Sequence, residues 1–212
     1  MINEELQTYI ENKIPTRTAL FQEMEEYADE ENVPIMELIG IEALLQILRI
    51  HHPKKILEVG TAIGYSALRM SFALPDTKII TIERDEERAQ MAEKYIERAG
   101  RKDQILLIKG DALEVEELIN DFGPFDAIFI DAAKGQYQKF FEMYSKLLSK
   151  NGIILTDNIL FKGLVSQDHI ENKRIRSLVK KIDLFNDWLM NHPDYDTAIF
   201  PVGDGIAISK KR

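Results

Sequence analysis

Ile56-Leu57-Glu58-Val59-Gly60-Thr61-Ala62-Ile63-Gly64-Tyr65-Ser66 is an apolar run that ends in an acid, then a glycine-punctuated turn, then a helical pattern from Tyr65. A strand, a tight loop and a helix N-terminus in that order make the first βα unit of a nucleotide-binding α/β sheet. The glycines, Gly60 first, let the backbone approach a ligand closely, and the helix N-terminus offers free N–H groups. A pyrophosphate-binding loop reads G-x-G-x-x-G. Here the spacing is Glu58-x-Gly60-x-x-x-Gly64-x-Ser66: the second close glycine is missing and an acid precedes the first. A carboxylate there suits an ammonium or sulfonium group better than a pyrophosphate. The loop therefore favours S-adenosylmethionine (SAM) over a dinucleotide. The plainer alternative is a βα turn that holds no ligand.

Downstream of this unit, strands and helices alternate. Strands are expected at 55–59, 78–82, 104–109, 125–130 and 152–156, each a continuous apolar run as in a sheet covered on both faces. Helices are expected at 65–73, 86–99, 112–121, 136–149 and 169–191. Asp85 can cap the second of these and Gly100 can end it. The segment from Thr197 to Ser209 reads as two strands around Gly203-Asp204-Gly205, an antiparallel hairpin. Upstream, residues 3–50 read as a helical prefix, broken at Pro15, with Thr16 as a candidate cap for the second helix and Pro34 opening the third. His51 and His52 read as surface or helix-end residues. The fold class is α/β: a doubly wound, Rossmann-like, mostly parallel seven-stranded sheet with a C-terminal antiparallel hairpin and N-terminal helices. No linker divides it, so residues 1–212 are expected to form one domain, with 1–50 as prefix and 51–212 as core.

The 212 residues are 45% hydrophobic, enough for a full core. No apolar run approaches the roughly 18 residues of a membrane span, so no membrane association is expected. Met1-Ile2-Asn3-Glu4-Glu5 has no basic start followed by an apolar stretch, so no secretory leader is read. There is no cysteine, which excludes disulfides and thiolate metal sites and fits a cytoplasmic location. A net charge of -9 argues against wholesale nucleic-acid binding through charge, though not against a local basic patch.

In doubly wound sheets ligands collect at the carboxyl ends of the strands. The residues expected there are Glu58, Glu83, Asp111, Asp131 and Asp157, all acidic. Glu83 is placed to accept from the ribose hydroxyls of an adenosine; a pairing with Arg84 is the alternative. Asp111-Ala112 lies where an adenine amino group would need an acceptor, although Asp111 with Glu114 also makes a capping box. Ser66 can hold the cofactor's carboxylate. Asp131, Asp157 and Asn158 converge if their two strands are neighbours. Two carboxylates and an amide oxygen suit a hard cation such as Mg²⁺, with Mn²⁺ fitting the same oxygens. The alternative is a pair of strand-end aspartates that cap the following helices. Lys134, three residues after Asp131, can reach the rim of such a site, where an ammonium beside a cation releases its proton more readily; it is the candidate general base.

Together these pieces resemble the cation-dependent O-methyltransferases, the catechol and caffeoyl-CoA methyltransferase family. The matching stretches are Leu57–Ser66, Glu83, Gly110-Asp111-Ala112, Phe129–Tyr137, Thr156-Asp157-Asn158 and Pro201–Gly205, in the family's order over roughly residues 34–209. The resemblance implies Asp131, Asp157 and Asn158 as metal ligands and Lys134 with Asp131 as catalytic residues. It implies Met36, Glu58, Ser66, Glu83, Asp111, Ala112 and Asp131 around SAM, and it suggests a homodimer. Ala133 stands where some members carry an acid or an aromatic. Within the family the chain is similar to bacterial tRNA 5-hydroxyuridine methyltransferases, which implies the anticodon region of tRNA as partner. Lys173, Arg174, Arg176, Lys180 and Lys181 form the basic side of an amphipathic helix, joined by Lys162 and by the tail Lys210-Lys211-Arg212. These side chains are expected to meet phosphates, or else to be ordinary solvated lysines and arginines. Phe161 is a candidate to stack on a base. The competing expectations are a methyltransferase of small catechols, a nucleotide-binding dehydrogenase, and a non-catalytic SAM- or RNA-binding protein.

Overall fold

The computed structural model describes residues 4–212; Met1–Asn3, part of the stretch read for a leader, lie outside the described residues. Three helices come first: α1 (Glu4–Glu11), α2 (Ala19–Glu30) and α3 (Leu38–His51). Then follow β1 (Lys55–Val59), α4 (Tyr65–Ala73), β2 (Lys78–Glu83), α5 (Glu86–Arg98), β3 (Ile105–Lys109), α6 (Glu116–Asn120) and β4 (Phe125–Ile130). The chain continues as α7 (Tyr137–Tyr144), β5 (Leu148–Thr156), α8 (Lys173–Met190), β6 (Tyr195–Phe200) and β7 (Ile206–Lys211). All seven strands lie in one sheet of order β3-β2-β1-β4-β5-β7-β6. β1 to β5 are mutually parallel, and β7 runs antiparallel to both β5 and β6. The order reverses between β1 and β4, which makes that gap the switch point where ligands bind in such sheets.

Alternation along the central strands feeds two cores. Ile56, Ala127, Phe129 and Leu155 pack with Met24, Ile41, Leu44 and Leu48 of the prefix helices on one face. Leu57, Val59, Ile128, Ile130 and Ile154 pack with Phe140, Phe141 and Phe185 of α7 and α8 on the other. Both faces are covered, which is why these strands read as unbroken apolar runs.

The differences from the sequence expectation fall at element ends. Thr18, not Thr16, precedes α2, and its side chain makes no cap. Pro34 does not open a helix: α3 begins at Leu38, where the apolar i, i+3, i+4 pattern begins. The segment Pro34–Glu37 instead borders the ligand cleft, so Met36 reaches it from outside the helix. The stretch 112–121 is helical only at Glu116–Asn120, because Asp111 turns the backbone locally before the helix starts. The stretch 136–149 divides into α7 between two short 3₁₀ turns, and β5 starts at Leu148 rather than 152. α8 starts at Lys173, where Asn172 accepts from Arg174 N at 2.9 Å and Ile175 N at 3.2 Å. Asp85 caps α5 as expected, accepting from Arg88 N at 3.0 Å. Among the described residues no helix is long and apolar enough to cross a membrane.

Candidate active site

A cleft of about 610 Å³ opens at the carboxyl ends of β1, β2, β3, β4 and β5. Gly60 makes its floor possible. Its φ of +108° favours glycine, and a Cβ there would stand 2.0 Å from the Asp131 carbonyl oxygen. β1 and β4 therefore approach closely just where the order reverses. The backbone ladder extends past the strand ends, with Asp131 N donating to Val59 O at 2.9 Å and Asp157 N to Ile130 O at 3.0 Å. Asp131 and Asp157 are thus set side by side on neighbouring strands, as the metal reading requires.

On the cofactor side, Met36, Gly60, Ser66, Glu83, Asp111, Ala112 and Asp131 all line the cleft. Glu58 does not. Its side chain is wholly buried behind the loop, where it accepts hydrogen bonds from Ser66 Oγ and, at 2.5 Å, from Thr81 Oγ1. The expectation that this acid faces an ammonium or sulfonium group is corrected: β1 is still a strand at Glu58, and the alternation turns the side chain away from the cleft. Burial pushes the Glu58 carboxyl up to about 7, with the charges of Asp131 and Glu83 adding to the rise and the two hydroxyls opposing it. The Ser66 hydroxyl is committed to Glu58, so what Ser66 offers the cleft is its place in the first turn of α4. No side chain caps that turn, which leaves its N–H groups free for an anionic group.

Glu83 ends β2 and braces two loops, accepting from Ala62 N at 2.7 Å and Asp85 N at 2.8 Å. Asp111 accepts from Leu113 N at 2.9 Å, and an ion pair with Arg84 spans 3.5 Å. The capping box with Glu114 does not form, and Arg84 pairs with Asp111 rather than with Glu83.

On the chemical side, Lys134 donates to Asn158 Oδ1, and Asn158 Nδ2 donates to Asp157 Oδ2 at 3.0 Å. The Lys134 ammonium sits 5.8 Å from the Phe161 ring centroid. Burial raises the carboxyls of both Asp131 and Asp157; the charge of Asp204 raises both further, and Lys134 opposes. Such a pair is short of positive charge. The one amide oxygen beside it already faces a cation, the Lys134 ammonium. The donor set of two carboxylates and an amide therefore fits a hard divalent ion, with Asn158 Oδ1 turned toward positive charge. Among the described residues no three acid, histidine or cysteine side chains cluster as a metal set.

Asp204 is a cleft residue to which the sequence reading gave no role. It comes from the β6–β7 turn, lines the cleft, accepts from Lys162 N at 3.1 Å through Oδ1, and from Leu160 N at 2.9 Å through its carbonyl. The Gly203-Asp204-Gly205 spacing was its only signal. Gly205 has φ +90°, and a Cβ there would stand 2.4 Å from the Leu160 side chain, so the turn packs tightly on the loop after β5.

Lys173, Arg174, Arg176, Lys180 and Lys181 are all exposed, and Lys181 Nζ lies beside Gly135, the residue after Lys134. Of the five, Lys181 is thus placed beside the turn whose Lys134 and Gln136 line the cleft. The tail does not join it. Lys210 pairs with Ile153 while Ala207 pairs with Thr156, so β7 carries Lys210-Lys211-Arg212 to the far end of the sheet. There Lys210 bonds the Asn151 carbonyl and Arg212 pairs with Asp196 at 2.8 Å.

Comparison with known proteins agrees with this geometry. Residues 12–212 match the family model described as O-methyltransferase. A flavonoid 3',5'-methyltransferase of Vitis vinifera is 34% identical over 187 residues, 85% of this chain and 78% of that protein. A catechol O-methyltransferase of Niastella koreensis is 38% identical over 129 residues, 59% of this chain and 58% of its own. Among solved structures, a provisionally named caffeoyl-CoA O-methyltransferase of Staphylococcus aureus is 36% identical with a TM-score of 0.89, covering 99% of this chain and 98% of that one. An SAH-bound methyltransferase of Podospora anserina is 28% identical with a TM-score of 0.86, covering 100% and 97%.

Proposed function

We propose, from the premise that the chain belongs to the O-methyltransferase family and is a SAM-dependent enzyme of the caffeoyl-CoA and catechol type, that it methylates one of two adjacent oxygens of a planar acceptor beside a divalent cation. The observation that carries this reading is the trio Asp131, Asp157 and Asn158, set beside Lys134 on the floor of one cleft. A bound Mg²⁺ or Mn²⁺ would supply Lewis-acid acidification of the acceptor hydroxyl. Asp131, Asp157 and Asn158 would hold that ion. Lys134, in its neutral amine form, takes up at Nζ the proton leaving the acceptor hydroxyl. The acceptor oxygen forms its bond to the methyl carbon as the carbon–sulfur bond of SAM breaks, leaving S-adenosylhomocysteine. Glu83 and Asp111, already tied to the backbone, orient the adenosine, and the uncapped first turn of α4 receives the carboxylate. Most of the acceleration then comes from orientation and from charges fixed in advance.

The relatives favour a small catechol-like acceptor. A second reading, 5-hydroxyuridine at the wobble position of tRNA, is supported by the exposed basic half of α8, whose Lys181 lies beside the turn that carries Lys134. Its 5-hydroxyl and 4-carbonyl are adjacent oxygens, as in a catechol. Three of its cations, Lys173, Arg174 and Arg176, stand in the first turn of the helix, where the helix dipole disfavours positive charge by about 0.3–1 kcal/mol each. An anionic partner offsets that cost.

The test is methyl transfer from labelled SAM, with Mg²⁺ and with chelator, to a catechol, to unmodified tRNA and to tRNA carrying 5-hydroxyuridine. Metal-dependent labelling of the catechol alone supports the first reading, and of the hydroxylated tRNA alone the second. Labelling that survives chelation, or survives Asp157→Ala, overturns the cation assignment.

A further inference from the structure

Gln136 lines the cleft, and the reaction above gives its side chain no part. It stands at the N-cap of α7, where its backbone N–H donates to Ala133 O at 2.8 Å. Its amide caps nothing on α7 and, among the described residues, makes no hydrogen bond. Gln136, Phe140 and Tyr144 follow one another at i, i+4 and i+8, so they share one face of α7. That face lies on the segment after β3. The Tyr144 hydroxyl donates to Ala112 O at 2.5 Å, and Phe140 packs in the same core as Ala112. Gly110 N donates to Glu83 O at 2.9 Å, which holds the segment Gly110–Leu113 beside the residue that orients the ribose. Beyond Glu83 the cleft is thus walled by Ala112, Leu113, Phe140 and Gln136.

We propose that the Gln136 amide hydrogen-bonds the adenine of SAM and is the specificity-determining residue for that base. The proposal rests on the SAM reading of the preceding subsection. An adenine edge sets an amino donor beside a ring-nitrogen acceptor. A side-chain amide carries a donor and an acceptor of its own and meets both at once. A carboxylate only accepts, and Asp111 is already committed, through Oδ1 to Leu113 N at 2.9 Å and through Oδ2 to Arg84 at 3.5 Å. Arg84 and Arg88, which also line the cleft, only donate. The other lining amide, Asn158, is tied to Lys134 and Asp157 at the end of β5. Asp111 therefore shapes the turn against which the base lies, and Gln136 supplies the complementary pair of groups.

The experiment measures binding of S-adenosylhomocysteine, and of its analogue lacking the 6-amino group, to the wild type, Gln136→Ala and Gln136→Leu by calorimetry. Unfolding midpoints without ligand are taken in parallel. The expected result is a wild-type affinity that falls about tenfold when the amino group is removed. Both variants bind S-adenosylhomocysteine about tenfold more weakly than the wild type and tell the two ligands apart by less than about twofold. Their unfolding midpoints match the wild type, because the amide holds nothing in the fold. Variants that bind S-adenosylhomocysteine as tightly as the wild type overturn the proposal and leave the SAM reading standing. Variants that bind it weakly yet keep the full preference for the amino group also overturn it, since other groups then read the base. No binding of S-adenosylhomocysteine by the wild type removes both.

Discussion

Glu58 illustrates how one position serves the site without touching a ligand. Its carboxyl is sealed behind the loop and titrates near 7, above the 4.5 of an unperturbed glutamate. Below about pH 4.5 the group is protonated in folded and unfolded chains alike. Between 4.5 and 7 the unfolded chain ionises while the folded one resists, so stability falls as pH rises through that window; above 7 the loss is complete. The difference corresponds to about 3 kcal/mol. Glu58→Gln keeps an acceptor for Ser66 and Thr81 and removes the charge. Its urea unfolding free energy, measured without ligand, is expected to drop less than that of the wild type between pH 4.5 and 8. Equal slopes overturn the assignment. The sequence made Glu58 visible as an acid in an apolar run, yet not which way it faced. The strand was expected through Val59, but periodicity alone does not say which of its side chains reach the cleft at its end. Asp131 and Asp157 reach the cleft because a one-residue step past a strand end admits little freedom; Asn158 and Lys134, two and four residues beyond, line the same cleft.

At the scale of elements, the loop after β5 carries the most strain. Asn158, Phe161 and Lys162 have φ of +58°, +43° and +56°, a region that side chains larger than glycine enter at a cost. The β6–β7 turn fastens this loop through Lys162 N to Asp204 Oδ1 and Leu160 N to Asp204 O, with Ile159 N to Gly205 O at 3.2 Å beside them. Asp204→Ala removes the side-chain tie, worth about 1 kcal/mol at this exposed position. Acceptor KM is expected to rise about fivefold with SAM affinity unchanged, and Asp204→Asn, which still accepts from Lys162 N, should restore most of it. Unchanged KM in Asp204→Ala would show that the loop holds itself. Helix and strand identities were readable from periodicity throughout, whereas the starts of α3 and α6 were not. Pro34 and Asp111 signal helix entry locally, and tertiary demands at the cleft overrode both signals.

For the whole molecule, the net charge of -9 hides a polarised surface. Acids crowd α2, at Glu23, Glu25, Glu26, Asp29 and Glu30, while five exposed cations crowd the first half of α8. If those five meet phosphates, raising salt from about 50 to about 200 mM should weaken tRNA binding on the order of a hundredfold. Transfer to a neutral catechol should barely change. A tRNA affinity indifferent to salt removes α8 as an RNA surface. The sheet order was beyond the sequence, because a hairpin at the end of the chain can join an edge by either of its strands. It is the second, β7, that pairs with β5, leaving β6 outermost. This has a consequence for biosynthesis. On the ribosome, β6 is made before the strand that ties it to the sheet. A nascent chain that stops near residue 200 therefore presents the bare edge of β5 and a tethered strand with nowhere to dock. The turn that fastens the acceptor loop does not yet exist, so catalytic competence should arrive only as the stretch through residue 209 clears the exit tunnel.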